Sequence, residues 1–253
     1  MLRDLLRVLL FYILTVIIFA TTSGLTKGLP YADYISLSVS SILTFFLIVL
    51  FIKSERLALT DVGISFRSDS ASKFLSGFGV GIIMVAIQAS VATSFAEVSF
   101  VLSSNISILN IIGSLALYLL VALREELVFR SYSIRSLAKA INPLTALVII
   151  TILFILEHVI AGVSWKMSVI GSGLGGILFG LAALKSQGIA LPLGIHSSWN
   201  FTQWMLGFKN DTGIWREVVK PGEESSAENV ALLGFSIAMC LAIFGIAMLY
   251  RQR

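Results

Sequence analysis

Long apolar runs alternate with short polar ones along the whole chain, and the runs share one length. Stretches near 8–26, 35–52, 74–96, 106–123, 144–161, 167–184, 189–206 and 229–250 are free or nearly free of charge. Each is close to the roughly 20 residues that a helix needs to cross about 30 Å of hydrocarbon. The pattern predicts an all-α, polytopic membrane bundle of about eight helices. Short loops join them, and the longest, from Gly207 to Glu228, is too short to fold alone, so residues 1–253 form one domain. Strands are not expected, because backbone groups in lipid must be satisfied within helices or a closed barrel, and the alternation of a barrel is missing.

Composition agrees with the pattern. The chain is 57% hydrophobic and 13% charged, against about 25% charged for an ordinary globular protein. Arg3 and Arg7 before a long apolar run could mark a signal peptide, but the run is long for one and no clear cleavage site follows, which favours a retained span. With eight spans both termini share a side. That side then holds thirteen basic residues: Arg3, Arg7, Lys53, Arg56, Arg67, Lys73, Arg124, Arg130, Arg135, Lys139, Lys185, Arg251 and Arg253. The other holds five, Lys27, Lys166, Lys209, Arg216 and Lys220. The positive-inside bias makes the first side cytoplasmic and accounts for the net charge of +4 without nucleic acid. The single cysteine, Cys240, lies within the last span, which excludes disulfides and cysteine-ligated metals and suggests an inert thiol.

Candidate chemistry lies where lipid disfavours it. An ionisable side chain at the bilayer centre costs about 2.5–3.5 kcal/mol on insertion scales, so each needs a reason. Three clusters stand out: Glu125, Glu126 and Arg130 in "EELVFR"; Phe154 to His158 in "FILEH"; His196 to Asn200 in "HSSWN". The last two hold both histidines of the chain. Glu126 and Arg130, four apart, share a helix face in the favourable order, as do His196 and Asn200, with Gln203 further along. Glu125 is turned about 100° from Glu126, so the two carboxylates are expected to serve different purposes, with Glu126 tied to Arg130 and Glu125 freer. Asn142 and Pro143 predict a helix break. Counting outward from it, Glu125 and His158 stand at about 25 Å on facing helices. The fourth helix is therefore expected to run on to about Ala140, with Arg135 and Lys139 projecting into the cytoplasm. Glu157 is expected to be neutral or to reach Lys166. Gly171 and Gly175, then Gly176 and Gly180, are spaced for close helix packing.

The three motifs in this order resemble the CPBP family of intramembrane proteases, which includes type II CAAX prenyl endopeptidases and the bacterial Abi and bacteriocin-processing proteins. The family pattern is Glu-Glu-x-x-x-Arg, Phe-x-x-x-His and His-x-x-x-Asn or Asp, and the resemblance covers roughly 124–200. It implies an intramembrane endopeptidase in a bacterial cell membrane, with a catalytic core from helices 4–7 (about 106–206) and a peptide or membrane-protein substrate. It makes Glu125 the base that activates water, with His158 holding that water. His196 and Asn200 become the oxyanion donors, and Glu126 with Arg130 the electrostatic brace. The bond cut is expected near the cytoplasmic surface.

Family members are often labelled metalloproteases, and Glu125, His158 and His196 could supply three ligands to zinc with one position open. The helical His-Glu-x-x-His arrangement is missing, which favours glutamate-activated water without a cofactor. Two other functional classes compete. A proton-coupled transporter would show inverted halves with broken helices, which are not found. A non-catalytic scaffold or immunity-type protein of the same fold would be free to lose motif positions, and none is lost. Ser197 and Ser198 do not face His196 on a helix, which argues against a Ser–His dyad.

Overall fold

The computed structural model describes residues 2–250 except Phe66, Asn105 and Asp211. Eight helices follow one another: α1 (Leu2–Thr26), α2 (Ala32–Ser54), α3 (Ser70–Phe95), α4 (Ile108–Ala140), α5 (Pro143–Ile160), α6 (Trp165–Ser186), α7 (Ala190–Met205) and α8 (Glu224–Leu249). Seven are long and apolar enough to cross a membrane. The exception is α7, with 16 residues, most of them buried. Packed on α3, α4 and α6 rather than facing lipid, it has no lipid thickness to match. The expected boundaries hold to within a few residues at most ends, and α1 begins earlier, at Leu2.

One correction concerns strands. Val98–Leu102 (β1) and Trp215–Val219 (β2) pair antiparallel, Val98 opposite Val219 and Leu102 opposite Trp215. The argument against strands holds only in hydrocarbon. This ribbon lies in the connections beyond the helix ends, where water can satisfy its edges.

Antiparallel connections give the bundle two distinct ends. At the near end, where α1 starts, the Ile189 N–H donates to Gly63 O at 3.1 Å and Lys73 Nζ to Ser186 O at 2.9 Å. Arg135 does not project into solvent as expected; it is buried and donates to Ala183 O at 2.7 Å. The last turns of α4 dock against α6 there, which fixes Arg135 as a strut, while Lys139 remains half-exposed 3.6 Å from Asp61. At the far end, the Lys220 N–H donates to Glu97 O at 3.0 Å, and Lys166 lies 3.9 Å from Glu228.

Two kinds of close approach hold the helices around the site. On α3, Gly77 and Gly81 face the backbone of α7 at Leu191 and Ile195, and Gly194 of α7 faces the backbone of α3 at Phe74. A Cβ at any of these would collide with main chain, so the two helices run parallel almost in contact. On α6, Gly176 meets Thr151 and Gly180 meets Leu147 of α5, the packing use expected of that spacing. Cys240, expected to be buried and inert, is instead exposed on α8; an apolar span in a bundle has a lipid face as well as a core face.

Candidate active site

The α4–α5 hairpin forms as expected. Helix α4 ends at Ala140, and Asn142 caps α5, its Oδ1 accepting from the Thr145 N–H at 2.9 Å, with Pro143 in the first turn where no donor is needed. Equal counts from this turn bring Glu125 and His158 to one level, and both line a cavity of about 310 Å³ with Phe19, Ser36, Arg124 and Glu157. A second cavity, about 170 Å³, is lined by Phe154, His158, Phe179, His196, Asn200, Gln203 and Lys209. His158 belongs to both. A larger apolar cavity of about 490 Å³ lies near Gly63 and Leu193 and touches none of the six motif residues.

Within α4 the helix widens over Glu126–Ser133 to i→i+5 bonding, a local departure that often accompanies functional sites. At its start stand the two glutamates, and both reach one imidazole. Glu126 Oε1 is 2.9 Å from His196 Nδ1, and Glu125 Oε2 is 3.7 Å from His196 Nε2. The expected division of labour between them is thus only half right. Their carboxylates do leave the helix in different directions, but an imidazole has nitrogens on two sides and spans both. His196 also stacks on Phe179, with ring centroids 4.4 Å apart and planes 11° from parallel.

Arg130 is fully buried and lies 3.8 Å from Glu126 Oε2, too far for a hydrogen bond. Its guanidinium is enclosed by rings instead, 4.2 Å from the centroid of Phe154, 5.3 Å from Phe129 and 5.4 Å from Phe179. Aromatic faces stabilise a desolvated cation without using its N–H groups. Arg130 therefore balances the charge of Glu126 while leaving Oε1 to His196 and Oε2 without a hydrogen-bond partner.

On α5, His158 Nδ1 lies 2.8 Å from Phe154 O and its ring meets Phe154 edge-on at 4.5 Å. A carbonyl oxygen can only accept, so Nδ1 carries the proton and Nε2 is left as acceptor. Asn200 is buried at the second cavity, and its side-chain amide makes no hydrogen bond among the described residues.

Several groups were missed or misassigned from sequence. Glu157 pairs directly with Arg124, which is buried and stacked 4.4 Å from the Phe19 ring, rather than with Lys166. The signal was available: 124 and 157 flank the matched pair 125 and 158. Phe179 gave no signal, since one phenylalanine in an apolar span is ordinary. With Arg124 matched to Glu157 and Arg130 to Glu126, Glu125 has no arginine of its own and its Oε2 has no hydrogen-bond partner. That is the arrangement of a carboxylate free to work on a bound molecule.

Among the described residues no three His, Cys, Asp or Glu side chains converge closely enough to hold a metal ion. Glu125, His158 and His196 as they stand do not fit a zinc site.

The first cavity is lined mainly from the far halves of its helices, with Ser23 and Asp33 of α1 and α2, whereas the second takes Met167 from a far half, Phe179, His196 and Met239 from near halves, and Val163 and Lys209 from connections. On the near side, Ile134, Leu137, Leu178, Ala182 and Ala183 are fully or almost fully buried and form a solid floor. Counting from the hairpin gives a depth but not the end from which water enters.

Residues 107–202, from the start of α4 into α7, match the family model of type II CAAX prenyl endopeptidase Rce1-like proteins. This segment is an Rce1-like domain. It contains all six motif residues and both halves of the α4–α5 hairpin, and it lies within a polytopic helical membrane protein. No curated protein matches the sequence as a relative.

Proposed function

We propose that the protein is an intramembrane endopeptidase in which Glu125 activates a water molecule without a metal. The observation that carries this reading is the Glu125 carboxylate, unmatched by any arginine, at a cavity edge beside one imidazole and 3.7 Å from the other. Glu125 takes a proton from water, and the resulting hydroxide adds to the carbonyl carbon of the substrate. The oxyanion forms beside the Asn200 amide and the His196 ring, where fixed donors stabilise developing charge strongly because bulk water is excluded. Collapse breaks the C–N bond as Glu125 returns its proton to the leaving nitrogen, giving a carboxylic acid and an amine. His158, with Nε2 as acceptor, holds the water. Glu126 and Arg130 fix the ring of His196 and balance the local charge.

Glu125→Gln tests this directly. The substitution is nearly isosteric and removes only the basic oxygen. Purified variant and wild type, compared by thermal unfolding and by peptide fragments released from membranes, should be equally stable and differ in cleavage. An equally stable variant that still cuts removes glutamate catalysis. A stable variant that keeps the protein's biological effect in cells, with no fragment differing from wild type, favours the scaffold reading, in which the fold acts by binding.

A further inference from the structure

We infer that Glu55, at the end of α2 and outside the matched segment 107–202, is a positioning residue for the site. Through Tyr132 and Ser136 it keeps α4 widened, and the widening keeps Arg130 from closing on Glu126. The consequence for cleavage rests on the protease reading, but the geometry does not.

Helix α4 is gripped at two heights. In its middle, Glu126 bonds His196 of α7 and Arg124 pairs with Glu157 of α5. Toward the near end, Tyr132 Oη donates to Glu55 Oε1 and Ser136 Oγ to Glu55 Oε2 at 3.3 Å, so one carboxylate of α2 holds two hydroxyls of α4. The Tyr132 ring is fully buried against Phe11 of α1 and Phe51 of α2, with centroids 4.7 and 5.3 Å away. Close by, Arg135 is fixed to α6 through Ala183 O.

Between these grips lies the widened stretch, Glu126–Ser133. Bonding of this kind is rare in helices and concentrates at functional sites, so something other than propensity must hold it. A helix pinned at two points that an ordinary α-helix cannot satisfy together absorbs the mismatch by admitting an extra residue to a turn. Local hydroxyls follow the wider spacing: Ser133 Oγ donates to Val128 O at 2.6 Å, five residues back, where a serine side chain can supply what the backbone ladder gives up.

The widening decides what Arg130 does. In an α-helix residues i and i+4 lie on one face, and a glutamate followed by an arginine at that spacing pairs readily. With i→i+5 bonding the same four steps turn through a smaller angle. Arg130 is carried sideways to the rings of Phe154 and Phe179, its Nε 3.8 Å from Glu126 Oε2. Return of the stretch to α-geometry would swing Arg130 onto Glu126 and draw that carboxylate off His196 Nδ1, making a second staple like Arg124 with Glu157. Arg7 of α1 stands 3.9 Å from Glu55 Oε2, so both helices of the N-terminal hairpin bear on the site through α4.

The chain has only two histidines, so nitrogen NMR of the full-length protein with isotope-labelled histidine, purified without a histidine tag, reads each imidazole separately once His158→Gln has assigned them. In Glu55→Ala the His196 Nδ1 signal should move toward its position in Glu126→Gln while His158 stays in place. Tyr132→Phe keeps the ring against Phe11 and Phe51, loses only the hydroxyl, and should move the same signal by less. Glu55→Gln can still partner both hydroxyls and should restore the wild-type position. Under the protease reading, Glu55→Ala should lower kcat roughly tenfold, the weight of a hydrogen bond to a charged group, with KM unchanged, and Glu55→Gln should recover it. An unmoved His196 signal in folded Glu55→Ala overturns the inference, as does equal movement of both imidazoles or a Glu55→Gln that behaves as Glu55→Ala. If Glu55→Ala does not fold, an unmoved signal in Tyr132→Phe overturns it. Movement of His196 alone, with no cleavage by the wild type, upholds the positioning role and removes the protease reading.

Discussion

Two sets of the same four residue types face each other across Glu125. One comprises His196, Glu126, Arg130 and Phe179; the other comprises His158, Glu157, Arg124 and Phe154. In the first, the glutamate bonds the imidazole at 2.9 Å and the arginine stands off at 3.8 Å, caged by rings. In the second, the glutamate bonds the arginine directly and the imidazole is left with a backbone carbonyl. Composition is shared, but wiring is not. An arginine that occupies its carboxylate makes a staple between α4 and α5. An arginine that only neutralises its carboxylate leaves it free to orient a histidine. In the proposed mechanism the first set acts on the substrate, and the second holds the helix that carries the other histidine.

The largest effect should come from the group between the sets. Glu125→Gln is expected to lower kcat by roughly 10² to 10⁴, the usual contribution of a positioned general base, with little change in unfolding temperature. Next is Glu126→Gln, which replaces the acceptor of His196 Nδ1 and leaves Arg130 buried without a counter-charge. A loss on the order of 10² in kcat, like that from removing one oxyanion donor, together with lower stability, is expected from kinetics and thermal unfolding of the same preparation. If Glu126→Gln proves as active as wild type, the two sets are equivalent and the comparison fails.

The second set should answer differently. Arg124→Met strands the half-buried Glu157 carboxylate and is expected to cost about 1–3 kcal/mol of stability, as for a polar group left without its partner. Arg124→Met with Glu157→Gln should recover most of that and cleave at a rate within about fivefold of wild type, since neither charge touches the bond being cut. The cycle sharpens the contrast, because the same double removal at Arg130 and Glu126 should leave no measurable activity.

Much of this arrangement was legible in the chain, for identifiable reasons. Helices in lipid must be long and apolar, so their number and ends could be counted, and the Asn142–Pro143 break set Glu125 and His158 at one height. Charges that lipid disfavours marked the site. Other features followed no local period. The Arg124–Glu157 pair, the Phe179 stack on His196 and the backbone contact of Gly194 with Phe74 depend on how distant segments face one another. The ribbon of 98–102 with 215–219 was hidden because the rule excluding strands was applied beyond the membrane, where it has no force.

The smallest expected effect is also a test of the difference between the histidines. A metal ion held by His158, His196 and Glu125 would make the two histidines equivalent ligands, and the contrast in how each Nδ1 is held would matter only for ring orientation. In the observed arrangement no such group converges among the described residues, and His196 Nδ1 is held by a carboxylate where His158 Nδ1 is held by a backbone carbonyl. Incubation with a strong chelator followed by its removal should therefore change kcat/KM by less than about twofold, because nothing bound is stripped from ligands whose occupancy would otherwise couple to pH and folding. Loss of activity that returns on adding zinc would show that the imidazoles move together when the ion is present. His158→Gln should then be as damaging as His196→Gln; without a metal, His196→Gln is the more damaging, since it alone also unseats Glu126.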